Sequence, residues 1–137
     1  MSLSEFALFE PAIIADGLEW PLADLVPAGQ EVPLPDVAFK QGRTLPLKLH
    51  LFAGDTMLTD ADVAPPKIVA LTRSGNAIPL ETLDLDAGQS NDNGSCFRFA
   101  DGFWVFNLST KGLTSGTYTI ILEMPDGQLM SAGFVLR

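Results

Sequence analysis

Only two side chains in this sequence, His50 and Cys96, are of the types that most often serve as a catalytic base or a thiol nucleophile. Acid–base or nucleophilic catalysis needs a base that a second group orients within reach of the reacting atom. His50 and Lys48 lie on the same, polar side of a leucine-rich run. No hydrolase signature surrounds Cys96 or any serine. The sequence therefore predicts a protein that is not an enzyme and has no catalytic residues.

Clustered carboxylates are the second feature that could support chemistry. Zinc is not expected, since a closed zinc site takes several Cys or His ligands and this chain has two such residues. Calcium prefers several oxygens within one turn, and the weak calcium candidates are Asp84, Asp86 and Asp92. The EF-hand spacing fails there, because Gly88 takes its fifth position and Ser95 its twelfth. A second acidic loop contains Asp55, Asp60 and Asp62. Acidic loops on an acidic protein are usually only solvated, so we expect no metal and no cofactor.

Exposed aromatic side chains are the third feature, because sugar-binding β-domains commonly present them to the ligand. The two candidates are Trp20, in the irregular segment 15–36, and Phe103, which alternates with Trp104 along a predicted strand. A tryptophan in such a segment more often covers the end of a core, and two aromatic rings do not form a platform. Carbohydrate or ligand binding through Trp20 and Phe103 is therefore the alternative function.

Composition indicates one folded domain and excludes several partners. The 137 residues are 47% hydrophobic and 18% charged, enough for a single core. We interpret residues 1–3 as a cloning remnant and residues 4–137 as one domain. The net charge of -9 repels phosphates, which argues against nucleic acid and anionic membranes. Apolar runs are too short to span a bilayer, and a single cysteine allows no intrachain disulfide.

The elements that must position these residues are strands. In "RTLPLKLHLF", leucines at 45, 47, 49 and 51 alternate with polar residues, which predicts a strand with one buried face. Pro46 lacks an N–H, so it places this strand at a sheet edge or a bulge. Residues 66–73 form a second, β-branched strand candidate, and no segment has a helical period with caps. We expect an all-β domain.

The segment "FRFADGFWVFNL" predicts a hairpin whose register follows from its turn. A two-residue type I′ turn at Asp101-Gly102 pairs Phe99 with Trp104. One face then carries Phe97, Phe99, Trp104, Phe106 and Leu108, which we assign to the core. The opposite face carries Arg98, Ala100, Val105 and Asn107. A slip of one residue would mix the two sets, so the pattern itself selects the register.

The chain ends in a second hairpin, "GTYTIILEMPDGQLMSAGFVLR", with a different turn. A three-residue Pro125-Asp126-Gly127 loop with left-handed Gly127 pairs Leu122 with Met130 and Ile120 with Ala132. The same register pairs Tyr118 with Phe134 and joins the large residues of one face. A two-residue loop would place these side chains opposite Ser131, Gly133 and Val135, a poorer match.

Four stretches together resemble a known family. "LTSGTY" before a strand resembles the tyrosine corner of immunoglobulin-like sandwiches, in which a Tyr hydroxyl bonds to upstream backbone. "FALFEP", "FKQGRTLPLKLHL" and "CFRFADGFWVFNLSTKGLTSGTYTIIL" resemble, in the same order, the motifs of bacterial PxKF-type immunoglobulin-like domains. Leu49 stands where the family has Phe and Phe99 where it has Tyr, and residues 53–94 are unmatched.

The resemblance implies an immunoglobulin-like antiparallel β-sandwich of about seven to nine strands. It further implies a non-catalytic accessory module of a larger exported bacterial protein, secreted or at the cell surface. Such a module acts as a spacer or docks neighbouring domains of the same polypeptide or another protein. We expect no nucleic acid and no membrane insertion, and a glycan ligand belongs to the alternative function.

Overall fold

The computed structural model describes residues 13–16, 18, 24–35, 37–79 and 96–137, and in these ranges it contains eleven strands and no helix. The strands are β1 Ile13–Ala15, β2 Val26–Pro27, β3 Thr44–Leu49, β4 Leu51–Ala53, β5 Thr56–Met57, β6 Lys67–Arg73, β7 Asn76–Ile78, β8 Arg98–Ala100, β9 Phe103–Ser109, β10 Gly116–Glu123 and β11 Leu129–Leu136. The all-β prediction is confirmed. The strand number exceeds the seven to nine expected, because six of the eleven strands have only two or three residues.

The described ranges hold no helix that is long and apolar enough to cross a membrane.

The described strands form three sheets in which all pairings are antiparallel. Their orders are β1-β4-β5, β2-β11-β10-β6-β7 and β3-β9-β8. One hydrophobic cluster receives side chains from all three sheets; its buried members include Leu45, Leu47, Leu49, Leu51, Ile68, Leu71, Trp104, Phe106, Leu108, Tyr118, Ile120, Leu122 and Phe134. The three sheets therefore share a single core.

The alternating leucines place β3 and β4 as predicted. All four, at 45, 47, 49 and 51, are at most 1% exposed. Among the described strands β3 lies at the edge of its sheet, and Thr110 N–H donates to the Arg43 carbonyl at 3.2 Å. Hydrogen-bonded positions alternate along an antiparallel ladder, so the backbone groups of Thr44, Pro46 and Lys48 point to the open side. Pro46 at that edge confirms the prediction, because no N–H is required there.

The β8–β9 hairpin has the predicted register. Phe99 pairs with Trp104 and Ala100 with Phe103, and positive φ angles of 54° at Asp101 and 85° at Gly102 fit a type I′ turn. Two side chains differ from expectation. Phe99 is only half-buried, at the edge of the Trp104 ring. Val105, on the outer face, is buried, because its cross-strand neighbours Lys48 and Arg98 have long aliphatic stems that shield it.

The β10–β11 hairpin also confirms its predicted register and turn. Leu122 pairs with Met130 and Tyr118 with Phe134, and Gly127 has a φ of 92°. The Tyr118 and Phe134 rings stack with centroids 5.2 Å apart. The Tyr118 hydroxyl donates to the Thr114 carbonyl at 2.7 Å, so the predicted bond to upstream backbone is present.

Candidate functional site

The outward side of β3 and β4 carries the side chains that the core does not use. Side chains alternate along a strand, so Pro46, Lys48, His50 and Phe52 face outward between the buried leucines. Lys48 is exposed, whereas His50 and Phe52 are half-buried. The same periodicity that builds the core therefore builds a second surface on its back.

An aromatic row crosses this surface, formed by Phe52, His50 and Phe103. The His50 ring lies 4.3 Å from the Phe103 ring and 6.1 Å from the Phe52 ring, centroid to centroid. The Lys48 ammonium lies 5.8 Å from the Phe103 centroid, within the range of a cation–π interaction. Phe103, predicted as a ligand contact on the face opposite Trp104, is half-buried at this position.

An exposed apolar row continues from Phe52 across the small sheet. Phe52 pairs with Ile14 of β1 on one side and with Met57 of β5 on the other. Directly paired residues share a face of a sheet, so the three side chains lie side by side. Ile14 is 57% exposed and Met57 41%. We call Ile14, Phe52 and Met57 the apolar row.

Asp16 orients the imidazole of His50. Its Oδ2 lies 2.6 Å from His50 Nδ1, and its Oδ1 accepts the His50 backbone N–H at 2.7 Å. Asp16 N–H in turn donates to the His50 carbonyl at 3.2 Å, which extends the ladder between β1 and β4. A carboxylate on Nδ1 also orients the base of a catalytic triad. Here the aromatic rings that pack beside the imidazole are those of Phe52 and Phe103, neither of them a nucleophile.

A second carboxylate holds the opposite end of β1. Asp126, in the last turn, accepts the N–H of Ile13 at 3.3 Å, and Gln128 Nε2 donates to the Ile13 carbonyl at 2.9 Å. Partial desolvation acts to raise the pKa of Asp126, but hydrogen bonds from the side chain and backbone of Gln128 and from Ile13 N–H leave that pKa below its usual value. Polar contacts therefore fix the strand that carries Ile14.

A cleft of about 350 Å³ opens on the outer face of β3-β9-β8. It is lined by Pro46, Lys48, Arg98, Ala100, Asp101, Phe103, Val105 and Asn107. Lys48 and Arg98 both pair with Val105, from opposite sides, so buried Val105 forms an apolar floor between two exposed cations. We call Lys48, Val105 and Arg98 the basic cleft.

The other predicted site residues have separate outcomes. Trp20 and the calcium candidates Asp84, Asp86 and Asp92 lie outside the described residues. In the second acidic loop, Asp62 accepts the Thr59 N–H at 2.8 Å and so stabilises a turn. Within the described ranges no three His, Cys, Asp or Glu side chains are grouped to hold a metal ion.

Sequence reasoning missed Asp16 and the apolar row, which both depend on β1, β4 and β5. These strands have only two or three residues, too few to show a period. The available signal was the outward position of Lys48, His50 and Phe52, which alternate with the buried leucines. That alternation identifies one side of the surface but not the strands that pair beside it.

No protein family, curated protein or solved structure matches this chain. Function is therefore inferred from the residues and their geometry.

Proposed function

We propose that this chain is a non-catalytic accessory module of a larger exported bacterial protein, with an immunoglobulin-like β-sandwich fold, that docks a neighbouring domain or another protein. Three features support the fold assignment: antiparallel sheets around one core, the Tyr118 hydroxyl bond to the Thr114 carbonyl, and the motif order of the PxKF-type resemblance. The resemblance alone supports export and a bacterial source.

The apolar row is the observation that carries the docking role. Single exposed apolar residues are normal on protein surfaces, whereas large contiguous apolar patches mark interaction sites. Ile14, Phe52 and Met57 are contiguous by strand register, and the aromatic row extends them through His50 to Phe103. Aromatic residues and methionine are enriched at the centres of protein interfaces. A protein partner fits this surface.

The surroundings of His50 support a non-catalytic role. Its Nδ1 is engaged by Asp16 and its ring lies against Phe103. A histidine that activates a side-chain nucleophile needs a hydroxyl or thiol within hydrogen-bond distance of its free ring nitrogen. Here the aromatic ring that packs against His50, at a centroid distance of 4.3 Å, is the apolar ring of Phe103. In this arrangement His50 links the apolar row to the basic cleft.

Site-specific photocrosslinking in the full-length protein tests the docking role. A benzophenone amino acid placed at Phe52 or at Met57 in the producing bacterium should give one discrete crosslinked product. Peptide mapping should locate the crosslink in one segment of a neighbouring domain or of one partner protein. The matched control is Val69, which is 36% exposed on β6, in the five-stranded sheet. Crosslinks from positions 52 and 57 that are no stronger or more specific than those from 69 would rule out docking through this surface.

Glycan binding remains the second candidate, because Phe103 lines a cleft beside Asn107 and two cations. Sugar rings stack on an open aromatic face. The Phe103 ring is flanked by His50 at 4.3 Å and lies under the Lys48 ammonium, which reduces the open area. The geometry therefore favours a protein partner over a sugar.

A further inference from the structure

Two cations on the outer face, Lys48 and Arg98, have no ion-pair partner among the described residues. Elsewhere Lys67 pairs with Glu123 at 3.3 Å, and Arg73 donates to the Ser115 carbonyl at 2.6 Å. Arg98 takes part in no ion pair or hydrogen bond with the described part of the chain, and the contact of Lys48 there is with the Phe103 ring. No carboxylate in the described part of the chain therefore neutralises these two charges, although the net charge of the chain is -9.

The spacing of the two cations suits one small anionic group. Lys48 on β3 and Arg98 on β8 flank Val105 on β9, the strand between them. Their Cα atoms are therefore about 9 to 10 Å apart, twice the strand separation. A carboxylate above Val105 is then within reach of both long side chains. Asp101 is the one acidic residue lining the cleft and lies at its turn end, so the two cations dominate its charge.

The cleft is continuous with the apolar surface. Phe103 lines the cleft and contacts His50, which contacts Phe52, the centre of the apolar row. A ligand that covers both regions must carry a carboxylate at one end and apolar side chains along its length. An extended peptide segment has this chemistry, whereas an acidic sugar would leave Ile14 and Met57 uncovered.

We propose that the basic cleft binds an Asp or Glu side chain of a partner protein segment whose apolar side chains pack on Phe103 and the apolar row. This inference rests on the proposed docking function and specifies the partner's chemistry. Lys48 and Arg98 determine which segment is accepted, because a neutral or basic residue would leave both cations desolvated without a counter-charge. The apolar row provides the contact area.

Selection from a displayed library of random twelve-residue peptides tests this chemistry and does not require the partner itself. Peptides enriched on the wild-type domain should carry Asp or Glu next to apolar residues. A synthetic copy of the leading peptide should bind the double variant Lys48→Gln/Arg98→Gln about tenfold more weakly, as measured by calorimetry. The control Lys111→Gln removes an exposed charge from a distant turn and should change the affinity less than about twofold. Amide shifts in NMR spectra should map the peptide to Val105 and Phe52.

Several outcomes would overturn the proposal. It fails if selection yields no binder, or if the selected peptides are neutral or basic. It fails equally if the double variant binds the peptide as tightly as the wild type does. Retention of the wild-type domain on an alginate gel, lost in the double variant, would assign the cleft to acidic glycans instead. If photocrosslinks from Phe52 persist in the double variant at wild-type yield, docking stands and only carboxylate recognition is lost.

Discussion

The two faces of β9 share one backbone but have different surroundings. Trp104, Phe106 and Leu108 point inward and are at most 1% exposed, whereas Phe103 and Asn107 on the outer face are half-buried. Inward neighbours are apolar side chains of the core. Outward neighbours are two cations and an oriented imidazole. The alternation of side chains along one strand thus separates stability from recognition, and substitutions on the two faces should have different effects.

The largest expected effect comes from the inner face. Phe106→Ala should lower the free energy of unfolding by about 3 to 5 kcal/mol, because it removes a fully buried ring that packs against Phe97. Phe103→Ala, three residues away on the outer face, should cost about 1 kcal/mol. Urea unfolding of both variants measures the difference. If the two variants are equally destabilised, Phe103 is a structural residue and the separation of the two faces is wrong.

The core was predictable from sequence because strand period and turn chemistry agree. Asp101-Gly102 permits only the register that gathers the aromatic residues, and Pro125-Asp126-Gly127 selects its own three-residue loop. The burial of the leucines in β3 and β4 follows from simple alternation. The exceptions are Phe99, which was assigned to the core but is only half-buried, and Val105. The burial of Val105 depends on long polar side chains from the two neighbouring strands, which the alternation along its own strand does not predict.

The outer surface was only partly predictable because it is assembled from distant, short segments. Lys48, His50 and Phe103 were identified from sequence as outward residues, but nothing indicated that His50 stacks on Phe103. Asp16 reaches His50 across 34 residues, through a strand of three residues that has no readable period. Recognition surfaces of this kind depend on tertiary placement, which local propensity does not specify.

A smaller effect is expected from the inner face of the five-stranded sheet. Tyr118→Phe should lower the free energy of unfolding by about 1 kcal/mol, because it removes the hydroxyl that donates to the Thr114 carbonyl while keeping the ring stacked on Phe134. Thermal and urea unfolding measure the loss. Thr117→Val, which removes a half-buried hydroxyl from the same strand, is the control. A Tyr118→Phe variant as stable as the wild type would contradict the structural role of this hydrogen bond.

The smallest expected effect concerns the hydrogen bonds that join Asp126 and Gln128 to Ile13, which we call the polar clamp. They hold β1 and hence Ile14 of the apolar row. The pKa of Asp126 is below its usual value of 3.8 in the folded protein. Its stabilising contribution is therefore complete well above pH 3.8 and is lost as the pH falls through the lower, folded-state pKa. Because the carboxylate is largely exposed, Asp126→Asn should cost no more than about 0.5 kcal/mol at pH 7.

The difference in unfolding free energy between the wild type and Asp126→Asn should depend on pH, and this dependence tests the role of the carboxylate charge. Urea midpoints of the wild type and Asp126→Asn should differ at pH 7 and converge as the pH falls through the lowered pKa of Asp126, where the wild-type carboxyl becomes neutral. Asp55→Asn, at an exposed turn, is the control for the loss of a negative charge. A difference that stays constant with pH would mean that the clamp acts through shape rather than charge. Crosslinking from Ile14 should weaken in Asp126→Asn, because polar contacts hold the strand that carries Ile14. The stability of the core should stay nearly unchanged, because apolar burial and not these contacts holds the inward faces of the sheets together.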